Sequence, residues 1–185
     1  VVSPERNPNY LGTGHSVAAL FLSYEWLQRV VNNKNYPTKG YRANAALQVG
    51  NINSQKSQSL LSVTGEYGKY MKMKHRIYMA FSVTGMHRVT DNKSFRYNSA
   101  LGYGYFIRGY EPYVINGNSF LLGKSSLRYA VMDEQFVPIN FIPLKNYRKA
   151  PVSSFINLNF DMGYVNSSWT KNNGDDLANT LLFGG

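Results

Sequence analysis

The chain of 185 residues contains no cysteine. That excludes a disulfide framework and any thiolate metal site, and it leaves the compartment open. Three histidines (His15, His75 and His87) are too few and too scattered for a metal cluster, so neither a metal nor another cofactor is expected. Charge is sparse. Only 16% of residues are Asp, Glu, Lys or Arg, against about a quarter in an ordinary domain. Acidic residues are the scarcer kind, 10 against 20 basic, for a net charge of +10. The basic residues are spread along the chain, which suits solvated loops and turns and makes nucleic acid an unexpected partner. No apolar run approaches the roughly 20 residues of a membrane helix. The opening "VVSPERNPNY" lacks the pattern of a signal peptide. In an exported protein the chain would be an internal piece or a mature fragment. Internal repeats and low-complexity tracts are also missing, and the length suits one domain.

What the chain does have is aromatic residues, 15% of the total with 15 tyrosines, and an apolar period close to two. In "YRANAALQVG" (41–50), Tyr41, Ala43, Ala45, Leu47 and Val49 share one face. In "FINLNFDMGY" (155–164), Ile156, Leu158, Phe160, Met162 and Tyr164 do so, opposite Asn157, Asn159, Asp161 and Gly163. Segments 17–26, 60–70, 76–86 and 124–132 alternate likewise. Strands are predicted near 17–30, 41–50, 59–71, 76–88, 124–137, 152–165 and 179–185, with a long excursion over 89–123.

A soluble sandwich would also alternate in this way. Strand lengths of about 9–13 residues, near what a tilted membrane-spanning strand needs, favour a membrane barrel instead. Tyr and Trp near strand ends (Tyr24, Trp26, Tyr41, Tyr67, Tyr78, Tyr129, Tyr164) would form its aromatic girdles. The charges on the polar faces, Glu25, Arg42, Glu66, Arg128 and Asp161, would suit a water-filled or loop-filled interior. Short and long connections alternate imperfectly, and 133–150 is long where a short turn is expected.

Four landmarks appear in order: "NYPTKG" (35–40), "IRGYEP" (107–112), "GKSSLRYAV" (123–131) and "NFDMGYV" (159–165). Together they resemble the C-terminal barrel of the BamA/TamA-type outer-membrane assembly-factor (bacterial surface antigen) family, in a Bacteroidetes-like form. The resemblance implies an all-β, antiparallel transmembrane barrel of about sixteen strands, of which this chain would hold about half. It implies that the 89–123 loop folds into the lumen as a latch. Ile107, Arg108, Gly109 and Tyr110 would form its tip, with Asp161 beside Gly163 as the partner on the wall. An Arg–carboxylate pair can be bidentate, and Gly109 would permit a tight turn. Arg128, Glu66, Glu25 and Glu111 would be further lumen charges, with Arg128 able to compete for Asp161 or sit near Glu111. Pro37, Thr38 and Gly40 would form a periplasmic turn. Where the family often has an acidic residue before Leu-Arg, this chain has Ser126.

The implied function is insertion or translocation of polypeptides at the bacterial outer membrane, without covalent chemistry. Its partners would be lipid (phospholipid and lipopolysaccharide), unfolded outer-membrane or secreted clients and accessory lipoproteins. A two-partner-type secretion pore, or the barrel of a fusion with an N-terminal hydrolase domain, are the alternatives. No enzyme is expected within the chain. His15-Ser16 lacks a nucleophile elbow, and "NNGDDLAN" reads as turn chemistry.

Overall fold

The computed structural model describes residues 18–53, 57–90, 98–138, 149–167 and 177–185. They form antiparallel strands β1 (Ala18–Val31), β2 (Gly40–Asn53), β3 (Ser57–Lys74), β4 (Ile77–Thr90), β5 (Ser99–Leu101), β6 (Ile115–Asn116), β7 (Ser119–Pro138), β8 (Lys149–Asn166) and β9 (Leu181–Gly184). Seven of these make one sheet in the order β1-β2-β3-β4-β7-β8-β9, and β5 and β6 make a small second sheet. The expected transmembrane barrel is corrected here. The large sheet is open: among the described residues, β1 pairs only with β2, and β9 only with β8. Alternation along a strand fixes which face a side chain takes, but it carries no information on how many neighbours a sheet acquires or whether its ends meet. The 89–123 excursion is also shorter than expected. β7 begins at Ser119, and the excursion carries β5 and β6.

The register assigns each side chain to a face. Leu22 lies opposite Val49, Val49 opposite Leu61 and Leu61 opposite Val89. Farther along, Leu127 faces both Met79 and Leu158, and Met162 faces Phe183. One face is therefore apolar from edge to edge, and it is open. Leu22 is 78% exposed, Leu158 72% and Ile156 65%. The opposite face carries Glu25, Arg42, Asn44, Glu66, Lys124, Arg128 and Asp161 toward its middle. At one end it carries a buried group of Leu60, Met86, Phe120, Leu122, Val165 and Leu182.

The 98–118 segment covers that end. Ala100, Leu101, Ile107 and Ile115 pack there with Met86, Phe120, Leu122, Val165 and Leu182, flanked by Tyr105 and Tyr110. The Tyr105 and Phe120 ring centroids lie 5.1 Å apart. Burying each large aliphatic side chain contributes about 1.5–3 kcal/mol, so this cluster fixes the segment to one face of an otherwise open sheet. Gly117 abuts the backbone of Asn166, and Gly117 N–H donates to Asn98 O at 2.6 Å.

The β1–β2 turn is organised by Asn32. Its Oδ1 accepts the N–H groups of Thr38 (3.0 Å) and Lys39 (2.9 Å), and its Nδ2 donates to Thr38 Oγ1 at 2.8 Å. Gly40 closes the turn at φ 113°, and a Cβ there would lie 1.9 Å from Val30 O. Gly40→Ala meets both a forbidden φ and a backbone clash, and is expected to cost at least about 2 kcal/mol. Urea denaturation monitored by tryptophan fluorescence measures that loss.

Candidate functional site

Residues 107–110 form a turn in which Tyr110 N–H donates to Ile107 O at 2.9 Å. Gly109 occupies the third position with φ 88°, the conformation that a type II turn demands of that residue. Glu111 Oε2 accepts Gly109 N–H at 2.9 Å, so Glu111 acts within its own loop. The turn presents Arg108 to the sheet twice. Its backbone N–H donates to Asp161 Oδ2 at 3.1 Å, and Nη1 donates to Asp161 Oδ1 at 2.5 Å. Asp161 is fully buried, while the Arg108 side chain is 33% exposed.

A buried carboxylate needs compensating donors. A further cation contributes here. Lys124 lies directly opposite Asp161 in the β7–β8 register, with Nζ 3.9 Å from Oδ2. Lys124 Nζ also sits 4.1 Å from the centroid of the Phe106 ring. Burial pushes the Lys124 ammonium below its ordinary range. Asp161 opposes that shift, Arg108 reinforces it and Glu111 opposes it.

The sheet makes room for the loop with glycine. A Cβ on Gly184 would lie 1.9 Å from Arg108 O, and one on Gly163 would lie 2.4 Å from Ile107 Cδ1. Sequence reading named Gly163 but missed Gly184. A glycine at a strand's end carries no sign of what crosses it.

The other charges of the polar face lie elsewhere. Arg42 donates to Glu66, and Asn44 Nδ2 donates to Glu25 Oε1 at 3.0 Å. Burial, with Glu66 and then Glu25 adding to it and Arg42 opposing, raises the Tyr105 phenol above its ordinary value. Burial lowers the Arg88 guanidinium from its own, with Nη1 donating to Ser99 O at 3.3 Å. Arg128 reaches neither Asp161 nor Glu111. Its Nη1 donates to Pro37 O at 2.9 Å, and its guanidinium lies 4.4 Å from the Tyr36 ring centroid. Tyr36 Oη donates to Asn157 Oδ1 at 2.8 Å and its ring meets Phe155 at 4.7 Å, so the β1–β2 turn is tied to β8. Ser126 Oγ donates to Asn159 Oδ1 at 2.6 Å.

Among the described residues, no three His, Cys, Asp or Glu side chains gather to hold a metal. His15, Ser16, Asp175 and Asp176 lie outside the described residues. The chemistry this arrangement supports is mechanical: a paired, buried carboxylate holds a loop on a sheet.

No family model, no curated protein and no solved structure matches the chain. The resemblance to the BamA/TamA-type family is corrected accordingly, and with it the secretion-pore and hydrolase-fusion alternatives. The described sheet is open, so a lumen and a lipid-facing barrel wall drop out. The expected outer-membrane location, lipid and lipopolysaccharide contacts, polypeptide clients and accessory lipoproteins rested on that barrel and drop out too. No described helix is long and apolar enough to cross a membrane.

Proposed function

We propose that this chain is a non-catalytic interaction module that works by strand addition, taking an extended polypeptide along the outer edge of β1. The observation that carries this reading is the state of that edge. β1 is fourteen residues long and pairs in unbroken register with β2 alone among the described residues. Natural sheets blunt such an edge with lysine, proline, a bulge or a short strand. β1 (AALFLSYEWLQRVV) has no lysine, proline or bulge, and its two charges, Glu25 and Arg29, both lie on the polar face. An added strand gains main-chain hydrogen bonds, and its alternate side chains extend the apolar face that Leu20, Leu22, Tyr24 and Trp26 leave exposed. A contiguous apolar surface of this extent is characteristic of a protein contact. The Arg108–Asp161 anchor keeps the 98–118 segment on the polar face, opposite the apolar one.

A labelled synthetic peptide of the β1 sequence, carrying a solubilising lysine tail, probes the edge by fluorescence anisotropy. Saturable binding is expected, and the triple variant L20K/L22K/W26K abolishes it by placing charge along the edge while leaving the β1–β2 ladder in place. Absence of binding, or equal binding to the lysine variant, overturns the reading.

A further inference from the structure

The β1–β2 register places Arg29 directly opposite Arg42. Like charges at opposed positions of a sheet repel, and nothing in the ladder requires the pair. Both arginines line one cavity of about 260 Å³, together with Lys34, Tyr36, Tyr70 and Arg128. Two of its cations are already positioned. Arg128 is fixed by Pro37 O and the Tyr36 ring, and Arg42 is held by Glu66. Arg42 Nε is nevertheless buried and without a hydrogen-bond partner. Arg29 and Lys34 also line it and are exposed. The cavity thus combines an opposed pair of arginines with two further cations.

We infer that this cavity is an anion site for a small phosphate-bearing ligand, in which one oxyanion bridges Arg29 and Arg42 and relieves their repulsion. Guanidinium forks match the oxygen spacing of a phosphate, and each charged hydrogen bond is stronger than a neutral one. The volume is below the usual range for drug-sized ligands, about 300–1,000 Å³, which suits a phosphate or pyrophosphate group. The site lies on the polar face and does not depend on strand addition at β1.

Isothermal titration calorimetry of the whole chain with inorganic pyrophosphate, inorganic phosphate and sulfate, at matched ionic strength, tests it. Pyrophosphate is expected to bind with one-to-one stoichiometry, more tightly than sulfate, and to raise the melting temperature. R29Q and K34Q should each weaken pyrophosphate binding about ten-fold or more, as loss of a charged hydrogen bond predicts. K34Q lies in the turn and leaves β1 intact, which separates this test from that of the edge. K69Q, on the opposite face, should leave binding unchanged. Without ligand, R29Q should melt no lower than the parent, because it removes a repulsion. Three results would each overturn the site: no pyrophosphate heat, equal response to sulfate and pyrophosphate, or unchanged affinity in R29Q and K34Q.

Discussion

Arg108→Ala should destabilise the fold by about 3 kcal/mol, the lower end of what breaking a buried ion pair costs. The reason lies on the partner's side. Asp161 is fully buried, and removing the guanidinium leaves its charge with the Arg108 backbone N–H and Lys124 at 3.9 Å. The magnitude stays low because the Arg108 side chain is 33% exposed and so returns little burial. The double variant Arg108→Ala/Asp161→Ala should be more stable than Arg108→Ala alone, since the stranded carboxylate is gone. That ordering separates a charge effect from simple loss of packing. Chemical denaturation of the parent chain and the two variants measures it. Limited proteolysis within 102–114 should run faster in Arg108→Ala, because the turn has lost its tether. If the double variant is the less stable, Asp161 is not held by its charge.

Gly184→Ala should be nearly as damaging, about 3 kcal/mol, the upper end for overpacking. The new Cβ meets the carbonyl oxygen of Arg108 at 1.9 Å and Ile107 Cγ2 at 2.8 Å. Backbone cannot rotate away, so either the loop lifts or β9 leaves β8. Gly163→Ala meets the flexible end of Ile107 instead, at 2.4 Å, and should cost about 1 kcal/mol. Gly65 has nothing within 4 Å of an added Cβ, so Gly65→Ala should be neutral or slightly stabilising. Thermal melts of the three alanine variants rank them. Equal losses at positions 184 and 65 would contradict the seating of the loop on β9.

The antiparallel β character was legible in the sequence because side-chain period is a local property. Leu158, Phe160 and Met162 alternate with Asn157, Asn159 and Asp161 whatever the rest of the chain does. Closure was not legible. It is set by which strands find neighbours, and nothing in AALFLSYEWLQRVV distinguishes an edge strand from an inner one. Girdle-like tyrosines misled for the same reason. Tyr41 stacks on Tyr67 across β2 and β3 at 6.4 Å, and Tyr78 meets the Phe155 ring edge-on at 5.9 Å, contacts that need no bilayer. The loop tip was easier to single out, because Arg-Gly in a polar stretch stands apart from its surroundings. Its neighbours were not. Lys124 stands beside Asp161 only through the β7–β8 register, and the same register sets Arg128 opposite Asn157, where it meets Pro37 O and the Tyr36 ring. Pairings set by register across distant segments leave no mark within either segment.

Residue-resolved amide hydrogen exchange along β1, with and without the β1 peptide, tests the central claim most directly. An antiparallel edge strand turns every second N–H toward its single neighbour and the others outward. In the chain alone, residues 18–31 should therefore alternate between slow and fast exchange, while β2 and residues 60–70 of β3, which have a neighbour on each side, are protected throughout. With saturating peptide, the fast amides of β1 should become slow and those of β3 should not change. Uniform protection of β1 in the chain alone, or fast β1 amides that stay fast with peptide bound, would contradict the account.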